Sequence, residues 1–238
     1  MFAHWADLPG SADIARLQML RMREHGLFDE AISVNFCIAG SMDQFTPLIS
    51  LIRGYGNVYI HLIDEDVKMR EYTTLNFLQQ RCTKMTENRA VLYTHLKGTS
   101  RGTVASHDWR KFLEFYNIDH WRKCVEKLDE GYNTAGVNFT RAENGSFWEH
   151  YSGNFWWATS DYIKRLTPLH NPRVPFNTDH SPLTGFRYTD QTWYFDHEAW
   201  IGTGKPKAYE IAFSPGKEHT WFHYHFSYPK ELYQNNIP

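Results

Sequence analysis

The chain has 238 residues, of which 42% are hydrophobic, 22% are charged and 16% are aromatic, and its formal net charge is −2. This length and balance are typical of one folded domain with a buried core, and they exclude an intrinsically disordered chain. A net charge so close to zero provides no field that would attract nucleic acid or an acidic membrane surface, so we expect neither as a partner.

The sequence shows neither a membrane-spanning nor a secretory segment. No stretch approaches the roughly 20 consecutive apolar residues of a transmembrane helix, and the N-terminal segment lacks the basic and apolar regions of a signal peptide. Cys37, Cys82 and Cys124 lie far apart, which predicts buried free thiols rather than a disulfide framework or a zinc knuckle. We therefore expect a cytoplasmic protein without a membrane span.

Helical and strand patterns alternate along the first two thirds of the chain. Apolar residues at helical spacing predict helices over residues 11–26, 43–53, 70–81, 106–115, 118–128 and 161–166. Apolar runs predict strands over residues 32–39, 58–63, 90–95, 134–139 and 152–158. This alternation predicts an α/β domain whose central sheet is mostly parallel and flanked by helices.

The last third of the sequence does not continue this regular alternation of helices and strands. Four prolines between residues 167 and 187 predict a long irregular loop, which is typical of binding loops and lids. A helix over residues 190–201 and a strand over residues 209–213 are predicted to follow. No linker is visible, so we predict a single domain over residues 1–238, in which residues 206–238 form an aromatic-rich C-terminal extension.

The first candidate site is the end of the predicted strand 90–95, where His95 is followed by Lys97 and Gly98. Ligands of open parallel sheets bind at the carboxyl ends of the strands. A lysine there offers positive charge and a glycine lets the backbone approach closely, which suits a diphosphate. The alternative is a surface turn with a solvated lysine. The chain has neither a Walker loop nor a GxGxxG motif.

The second candidate is the segment HYSGNFWWA at residues 150–158. Strand alternation would place Ser152, Asn154 and Trp156 on one face and Gly153 on the other. Aromatic rings next to fixed polar groups and an open backbone are the mixture that binds sugars. An aromatic-rich core strand is the alternative interpretation.

The third candidate is the segment that contains Asp196, Glu198 and Trp200. A carboxylate beside a cleft can act as a base or hold an acceptor hydroxyl. The alternative is a glutamate that faces solvent on a helix, which is the usual environment of this residue type.

Two further clusters invite a metal hypothesis. His219, His223 and His225 would share one face of a strand, but their spacing fits no closed structural zinc site without further ligands, so ordinary strand histidines are the favoured interpretation. Asp64 and Asp66 form an Asp-x-Asp pair, for which a solvated acidic loop is the alternative.

Six segments of the chain together resemble a family of small glycosyltransferases found in bacteria and large DNA viruses, the chlorella-virus-type glycosyltransferases. They follow the family's order between about residue 10 and residue 202, and the match is complete in the fifth. The segments are GLFD at 26–29, EYTTL at 71–75, LYTHLKG at 92–98, DWR at 108–110, HYSGNFWWA at 150–158 and EAWIG at 198–202.

The resemblance implies a GT-A-like, Rossmann-related domain that transfers a hexose or deoxyhexose from a nucleotide sugar, by preference a UDP-sugar, to a glycan or other hydroxyl acceptor. We expect Glu198, Lys97 and Asp108 to be catalytic and the acceptor to lie beside Trp156, Asp196 and Trp200. The residues expected to bind the donor are Gly40, Tyr93, His95, Lys97, Gly98, Ser152, Gly153 and Asn154.

His95 and Lys97 stand where many related enzymes carry a metal-binding Asp-x-Asp. The leaving nucleoside diphosphate needs positive charge in the transition state, and either a divalent cation or a fixed cationic side chain can supply it. We therefore expect Lys97 to supply this positive charge. A dependence on Mn²⁺ or Mg²⁺ is left open, because the loop that contains Asp64 and Asp66 could hold a metal.

Two other function classes remain open at this stage. A carbohydrate-binding protein without catalysis would account for the aromatic residues, although such modules are usually all-β. A metal-dependent hydrolase would need a tightly bound metal. The leading expectation is an enzyme, a hexosyltransferase of glycan biosynthesis that works in the cytoplasm, which would be the host's if the chain is viral.

Overall fold

The computed structural model describes residues 1–99, 102–141, 148–175, 180–181, 183–185, 187, 193–212 and 222–235. The strands are β1 (Phe2–Ala6), β2 (Val34–Ala39), β3 (Val58–Asp64), β4 (Ala90–His95), β5 (Thr134–Gly136), β6 (Phe139–Thr140), β7 (His150–Tyr151), β8 (Trp156–Thr159) and β9 (Ala208–Glu210). The helices are α1 (Ser11–Glu24), α2 (Leu27–Glu30), α3 (Tyr72–Thr83), α4 (Val104–Glu114), α5 (Trp121–Asp129), α6 (Ser160–Lys164), α7 (Phe195–Ala199) and α8 (Phe222–His225).

Seven of these strands form one sheet in the order β3-β2-β1-β4-β8-β5-β9. Only β8 in this sheet runs against its neighbours, since β4 and β5 both pair with it in antiparallel register. β6 and β7 form a separate hairpin. The predicted α/β domain with a mostly parallel sheet flanked by helices is confirmed.

Side chains alternate between the two faces of the sheet and bury two apolar clusters. On one face Trp5, Leu92 and Trp157 pack with residues of α1, α4 and α5. On the other face Tyr93 and Trp156 pack with residues of α3 and α6. The helices therefore cover both faces, which explains why the strands read as nearly continuous apolar runs.

The strand order reverses at the first strand of the chain. β2 and β3 lie on one side of β1, and β4 lies on the other. The connections that follow β1 and β4 lead to α1 and α4, which pack on the same face of the sheet. The carboxyl ends of the strands are the default place for a ligand in a sheet of this kind.

Short helical segments that are not α-helices join several elements. Asp43–Ile52 and Val67–Met69 are 3₁₀ helices, as are Trp200–Gly202 and Lys230–Leu232, and Phe115–Asp119 is a π-helical turn. Pro47 lies inside the first of them, where the missing backbone donor costs less than in a regular α-helix.

Two predictions about the elements are wrong, and β1 is a strand that the sequence pattern does not predict. Its identity as a strand comes from pairing with β2 and β4 on both sides. The predicted strand 152–158 is interrupted, since Gly153 and Asn154 form a turn with φ of +91° and +54°. The C-terminal histidine segment is a short helix at α8, so His223 and His225 share no strand face, and His219 lies outside the described residues.

Other expectations about the chain can be compared with the structure directly. Cys37, Cys82 and Cys124 are buried free thiols, as predicted. Among the described residues, no helix has both the length and the apolar character needed to cross a lipid bilayer.

Candidate functional site

The candidate site is built around Glu71, which directly precedes α3. Its Oε2 accepts hydrogen bonds of 2.7 Å from the hydroxyl of Tyr93 and of 2.7 Å from the side-chain amide of Asn154. Its Oε1 lies 3.9 Å from Nδ1 of His95. One carboxylate thus links the start of α3, the end of β4 and the turn before β8.

His95, the last residue of β4, joins this carboxylate to the turn. Its Nε2 lies 2.8 Å from the carbonyl oxygen of Gly153. Because a carbonyl oxygen only accepts, Nε2 carries the proton and the Nδ1 edge of the ring faces Glu71. The orientation of the His95 ring is therefore set by the bond at Nε2, which leaves Nδ1 at 3.9 Å from Glu71.

Glu198 of α7 binds the backbone of Gly153 on its other side. Its Oε1 accepts a 2.6 Å hydrogen bond from the backbone N–H of Gly153. Its Oε2 accepts no hydrogen bond from the other described residues. A chain of contacts therefore runs from Glu71 through His95 and the backbone of Gly153 to a carboxylate with one uncommitted oxygen.

The turn at Gly153 and Asn154 is fixed by its surroundings. Asn154 donates to the carbonyl of His197 at 3.3 Å, and its Oδ1 accepts a 2.8 Å hydrogen bond from the indole of Trp156. These contacts compensate for the left-handed backbone, which asparagine tolerates better than most residues. A Cβ at Gly153 would lie 2.6 Å from Cδ1 of Leu113, so this position needs glycine for both φ and space.

Charge in the cluster is set by the competition between burial and partners. Burial raises the pKa of Glu71, but the nearby histidines His95, His4 and His197 and the Tyr93 hydrogen bond outweigh it and hold this pKa at about 2. Burial lowers the pKa of His4 and of His197 to about 4. At pH 7 Glu71 is consequently ionised, while His4 and His197 are neutral.

Lys97 follows β4 and lies beside the C-terminal segment. Its ammonium is 3.9 Å from the ring centroid of Trp109 and 5.4 Å from that of Tyr224. Its carbonyl accepts a 3.1 Å hydrogen bond from Arg110, and Gly98 follows with φ of +94°. Lys97 therefore stands at the expected strand end, with its charge resting on aromatic faces rather than on an acidic partner.

Asp108 of α4 is buried and bound to the C-terminal segment. Its carboxylate accepts a short hydrogen bond from the hydroxyl of Ser227. Trp109, on the same helix as Asp108, stacks with His223 of α8, and the two ring centroids are 5.3 Å apart. In this structure Asp108 anchors the segment 222–235 and is not part of the chain of contacts from Glu71 to Glu198.

Gly40 ends β2 at the same edge of the sheet. Its φ is +109°, and a Cβ there would collide with the side chain of Asp7. Asp7 in turn accepts a 2.9 Å hydrogen bond from the backbone of Ser41. The ends of β1 and β2 are thus tightly packed, and Gly40 contributes backbone rather than side chain.

The Asp-x-Asp pair is already occupied by protein groups. Asp64 forms a 2.7 Å ion pair with Arg173, and Asp66 accepts a 2.9 Å hydrogen bond from the backbone of Lys68. Within the described segments, no group of three or more His, Cys, Asp or Glu residues is arranged to hold a metal ion. The pair thus presents an ion-paired carboxylate and a helix cap.

The residues expected on the acceptor side lie in the interior. Trp156 and Trp200 are 0% and 1% exposed, and the indole of Trp200 donates to the carbonyl of Thr167 at 2.8 Å. Asp196 accepts hydrogen bonds from Ser181 at 2.5 Å and Thr184 at 3.1 Å. These side chains support the walls of the site, and they offer a ligand no open surface in this structure.

Ser152 belongs to the hairpin beside the turn. Its Oγ lies 3.1 Å from Oγ1 of Thr140 and 3.0 Å from Nε2 of His150. Ser152 is therefore adjacent to Gly153 in the chain but takes part in a different set of polar contacts, those of the hairpin.

Three residues of the site were not predicted as such: Glu71, His4 and His197. Glu71 lies in one of the motifs quoted above, but nothing in the sequence shows that it faces β4. His4 belongs to the unpredicted β1 and contacts Thr74 Oγ1 at 2.9 Å. A correct prediction of β1 would have placed His4 beside the end of β4, with which it pairs at His95.

The chain belongs to the family described as the domain of unknown function DUF8361, whose model matches residues 6–210. This range contains the whole seven-stranded sheet except the first residues of β1, and it ends before α8. No curated protein matches the chain, and no solved structure does.

Proposed function

We propose that this protein is a glycosyltransferase that transfers a hexose or deoxyhexose from a nucleotide sugar, by preference a UDP-sugar, to a hydroxyl group of a glycan or similar acceptor. The observation that carries the proposal is that five of the six family-like segments meet in one place. We further infer that the mixed sheet belongs to a GT-A-like domain.

The convergence can be traced contact by contact. Glu71, His95, Asn154 and Glu198 come from four of the segments and are linked through the hydrogen bonds and the close approach described above. The fifth segment adds Trp109, which carries the ammonium of Lys97. Segments far apart in sequence that meet at the carboxyl edge of a sheet support a shared role in binding or chemistry.

The carboxyl end of β4 supplies what a nucleoside diphosphate requires. Lys97 provides a cation at the end of β4, and the glycine after it allows close approach of the backbone. A charge-assisted contact to phosphate contributes about 1.5–3 kcal/mol, and a cation–π contact roughly 0.5–2 kcal/mol as its burial increases. A phosphate is thus able to compete with Trp109 for the ammonium.

Glu198 is the group best placed to receive a proton. In the transfer, an acceptor hydroxyl oxygen bonds to the anomeric carbon, the bond from that carbon to the diphosphate breaks, and the hydroxyl proton leaves. The bond from Gly153 holds Oε1 and leaves Oε2 for this proton. Since Asp64 and Asp66 are engaged by the protein, we derive no step through a metal.

The two competing function classes differ from this proposal in their fold or in their requirement for a metal. A non-catalytic sugar-binding module is usually all-β, whereas this chain is a mixed α/β protein. A metal-dependent hydrolase would require a tightly bound metal for activity.

The test is a thermal-shift panel of UDP, dTDP, ADP and GDP, each in EDTA and in Mn²⁺, followed by an assay of UDP release from UDP-sugars with simple glycan acceptors. We expect UDP to raise the melting temperature, because ligand binding stabilises the native state by mass action, and UDP release to depend on the acceptor. Stabilisation by purine nucleotides alone would contradict the donor class. Binding of sugars without turnover would favour the non-catalytic class.

A further inference from the structure

Asn138, between β5 and β6, has a buried side-chain amide that no other described residue satisfies. Its side chain is 3% exposed, and neither Nδ2 nor Oδ1 has a hydrogen-bond partner among the described residues. Its backbone is also left-handed, with φ of +66°. Both properties carry a cost in folding free energy, since buried amides are normally satisfied and left-handed residues are normally glycine.

Asn138 directly precedes a row of polar side chains on the hairpin. Phe139 pairs with Tyr151 and Thr140 with His150, and opposite and alternate residues of an antiparallel pair share a face. Thr140, His150 and Ser152 lie on the same face and contact one another. Asn138 adjoins this row through its carbonyl, which accepts a 2.9 Å hydrogen bond from the backbone N–H of Ser152.

This polar row is nearly enclosed. Thr140 is 4% exposed and His150 is 8% exposed. Thr140, Ser152 and His150 satisfy one another through contacts of 3.1 Å and 3.0 Å. The amide of Asn138, next to this satisfied network in the chain, is thus left with one donor group and one acceptor group to offer.

The row is continuous with the proposed site. Ser152 precedes Gly153, whose backbone carbonyl and N–H bind His95 and Glu198 respectively. β5 lies two strands from β4 in the sheet, a separation of roughly 10 Å at the usual strand spacing. β4 and β5 both run against β8, so the residues that follow β5 lie at the same edge of the sheet as the end of β4.

We infer that Asn138 is a specificity-determining residue that binds a pair of hydroxyl groups on the sugar of the donor, next to Ser152. This inference rests on the proposed function. A carboxamide donates through Nδ2 and accepts through Oδ1, which matches two neighbouring hydroxyls, one accepting and one donating. Because the amide is enclosed in this structure, the hairpin must move for the sugar to reach it.

The test compares UDP with a panel of UDP-sugars, namely UDP-glucose, UDP-galactose, UDP-N-acetylglucosamine and UDP-xylose, by calorimetric titration and thermal shift. Asn138→Gly removes the amide and relieves the left-handed backbone, and Asn138→Asp keeps the shape but removes the donor. Lys205→Gly is the matched control, because Lys205 is exposed and also left-handed, with φ of +49°.

We expect one UDP-sugar to bind wild-type protein more tightly than UDP does. Asn138→Gly should keep or raise the melting temperature, leave UDP affinity unchanged and weaken that UDP-sugar by about 10-fold, and Asn138→Asp should weaken it as well. Lys205→Gly should leave both affinities unchanged.

Three results would overturn the inference. In the first, Asn138→Gly lowers the melting temperature markedly while Asn138→Asp binds the UDP-sugar normally, which would make the residue structural. In the second, both variants bind every ligand as wild type does. In the third, wild-type protein binds UDP but no sugar adds affinity, which leaves the proposed nucleotide site standing. Failure to bind any nucleotide would instead remove the proposed function itself.

Discussion

Glu198 illustrates how a single contact defines a chemical role. Its Oε1 is held by the N–H of Gly153, so the orientation of the carboxylate is fixed by backbone. A glutamine at this position would still accept that hydrogen bond through its amide oxygen, whereas it would not take up a proton. The substitution therefore keeps the position of the side chain and removes only its ability to act as a base.

We expect Glu198→Gln to lower turnover on the order of 10²–10⁴-fold, the range typical of a lost general base, at nearly unchanged donor affinity. Turnover and donor affinity are measured on the same preparation, with Glu126→Gln, an exposed glutamate on α5, as the control. Near-normal turnover would assign the proton to another group or indicate a reaction without such a base.

At Lys97, a single substitution can remove the charge while it keeps the packing of the side chain. Lys97→Met keeps the aliphatic stem on Trp109, where a thioether also packs well. We expect donor affinity to fall on the order of 10-fold and turnover to fall further, because the diphosphate gains negative charge as it leaves. Lys111 is exposed on α4, the helix that carries Trp109, and Lys111→Met is the control substitution. Activity close to wild type in EDTA would show that the positive charge has another source.

Part of the site was visible in the sequence and part was not. His95, Lys97, Gly153 and Glu198 stand out because they follow strong strand signals or lie in recognisable segments. Glu71 does not stand out, since its partners Tyr93 and Asn154 come from other elements and only the folded sheet brings them within 2.7 Å.

At the scale of the elements, the local sequence pattern predicts those elements whose structure depends on residues close in sequence. β4 occupies the predicted residues 90–95 because its apolar run ends where the polar site begins. β1 and the turn at Gly153 depend instead on neighbours that are distant in sequence: strand pairing on both sides for β1, and the contacts of Asn154 for the turn. Alternation alone could not reveal either of them.

The turn at Gly153 offers a test of this argument. We expect Gly153→Ala to cost about 1–2 kcal/mol for the left-handed backbone and a further 1–3 kcal/mol for overpacking against Leu113. Gly54 is the matched control, because its φ is +97° and no atom lies within 4 Å of its Cβ position. Urea unfolding of both variants isolates the overpacking part as the difference, and equal losses would show that the site has room for a methyl group.

At the scale of the whole molecule, buried histidines link stability to pH. Burial lowers the pKa of His4, His197 and His223 to about 4, with Lys97 adding to the effect at His223. Between pH 6.5 and 4 these histidines are protonated in the unfolded chain but not in the folded one. The unfolded state therefore binds more protons, and stability falls as the pH falls through this range. Glu71 adds a further loss only below its unfolded pKa, as the pH approaches 2.

We expect the free energy of unfolding, measured in urea from pH 7 to pH 4, to decrease by up to roughly 1.4 kcal/mol per pH unit for each of the three histidines. His4→Gln should remove about one such share of the slope. His225→Gln provides the control, because His225 is exposed on α8, and its slope should equal that of the wild type. A slope unchanged by His4→Gln would contradict the assignment of His4 as buried and neutral.

The central claim concerns where a nucleoside diphosphate binds, and hydrogen–deuterium exchange with and without UDP measures this directly. The account predicts slowed exchange at the backbone amides that follow β1 and β4, residues 7–8 and 96–99, together with residues 153–154 of the turn. Slowed exchange confined to a remote surface, such as the groove on α5 lined by Trp121 and Arg122, with no change at these amides, would contradict it.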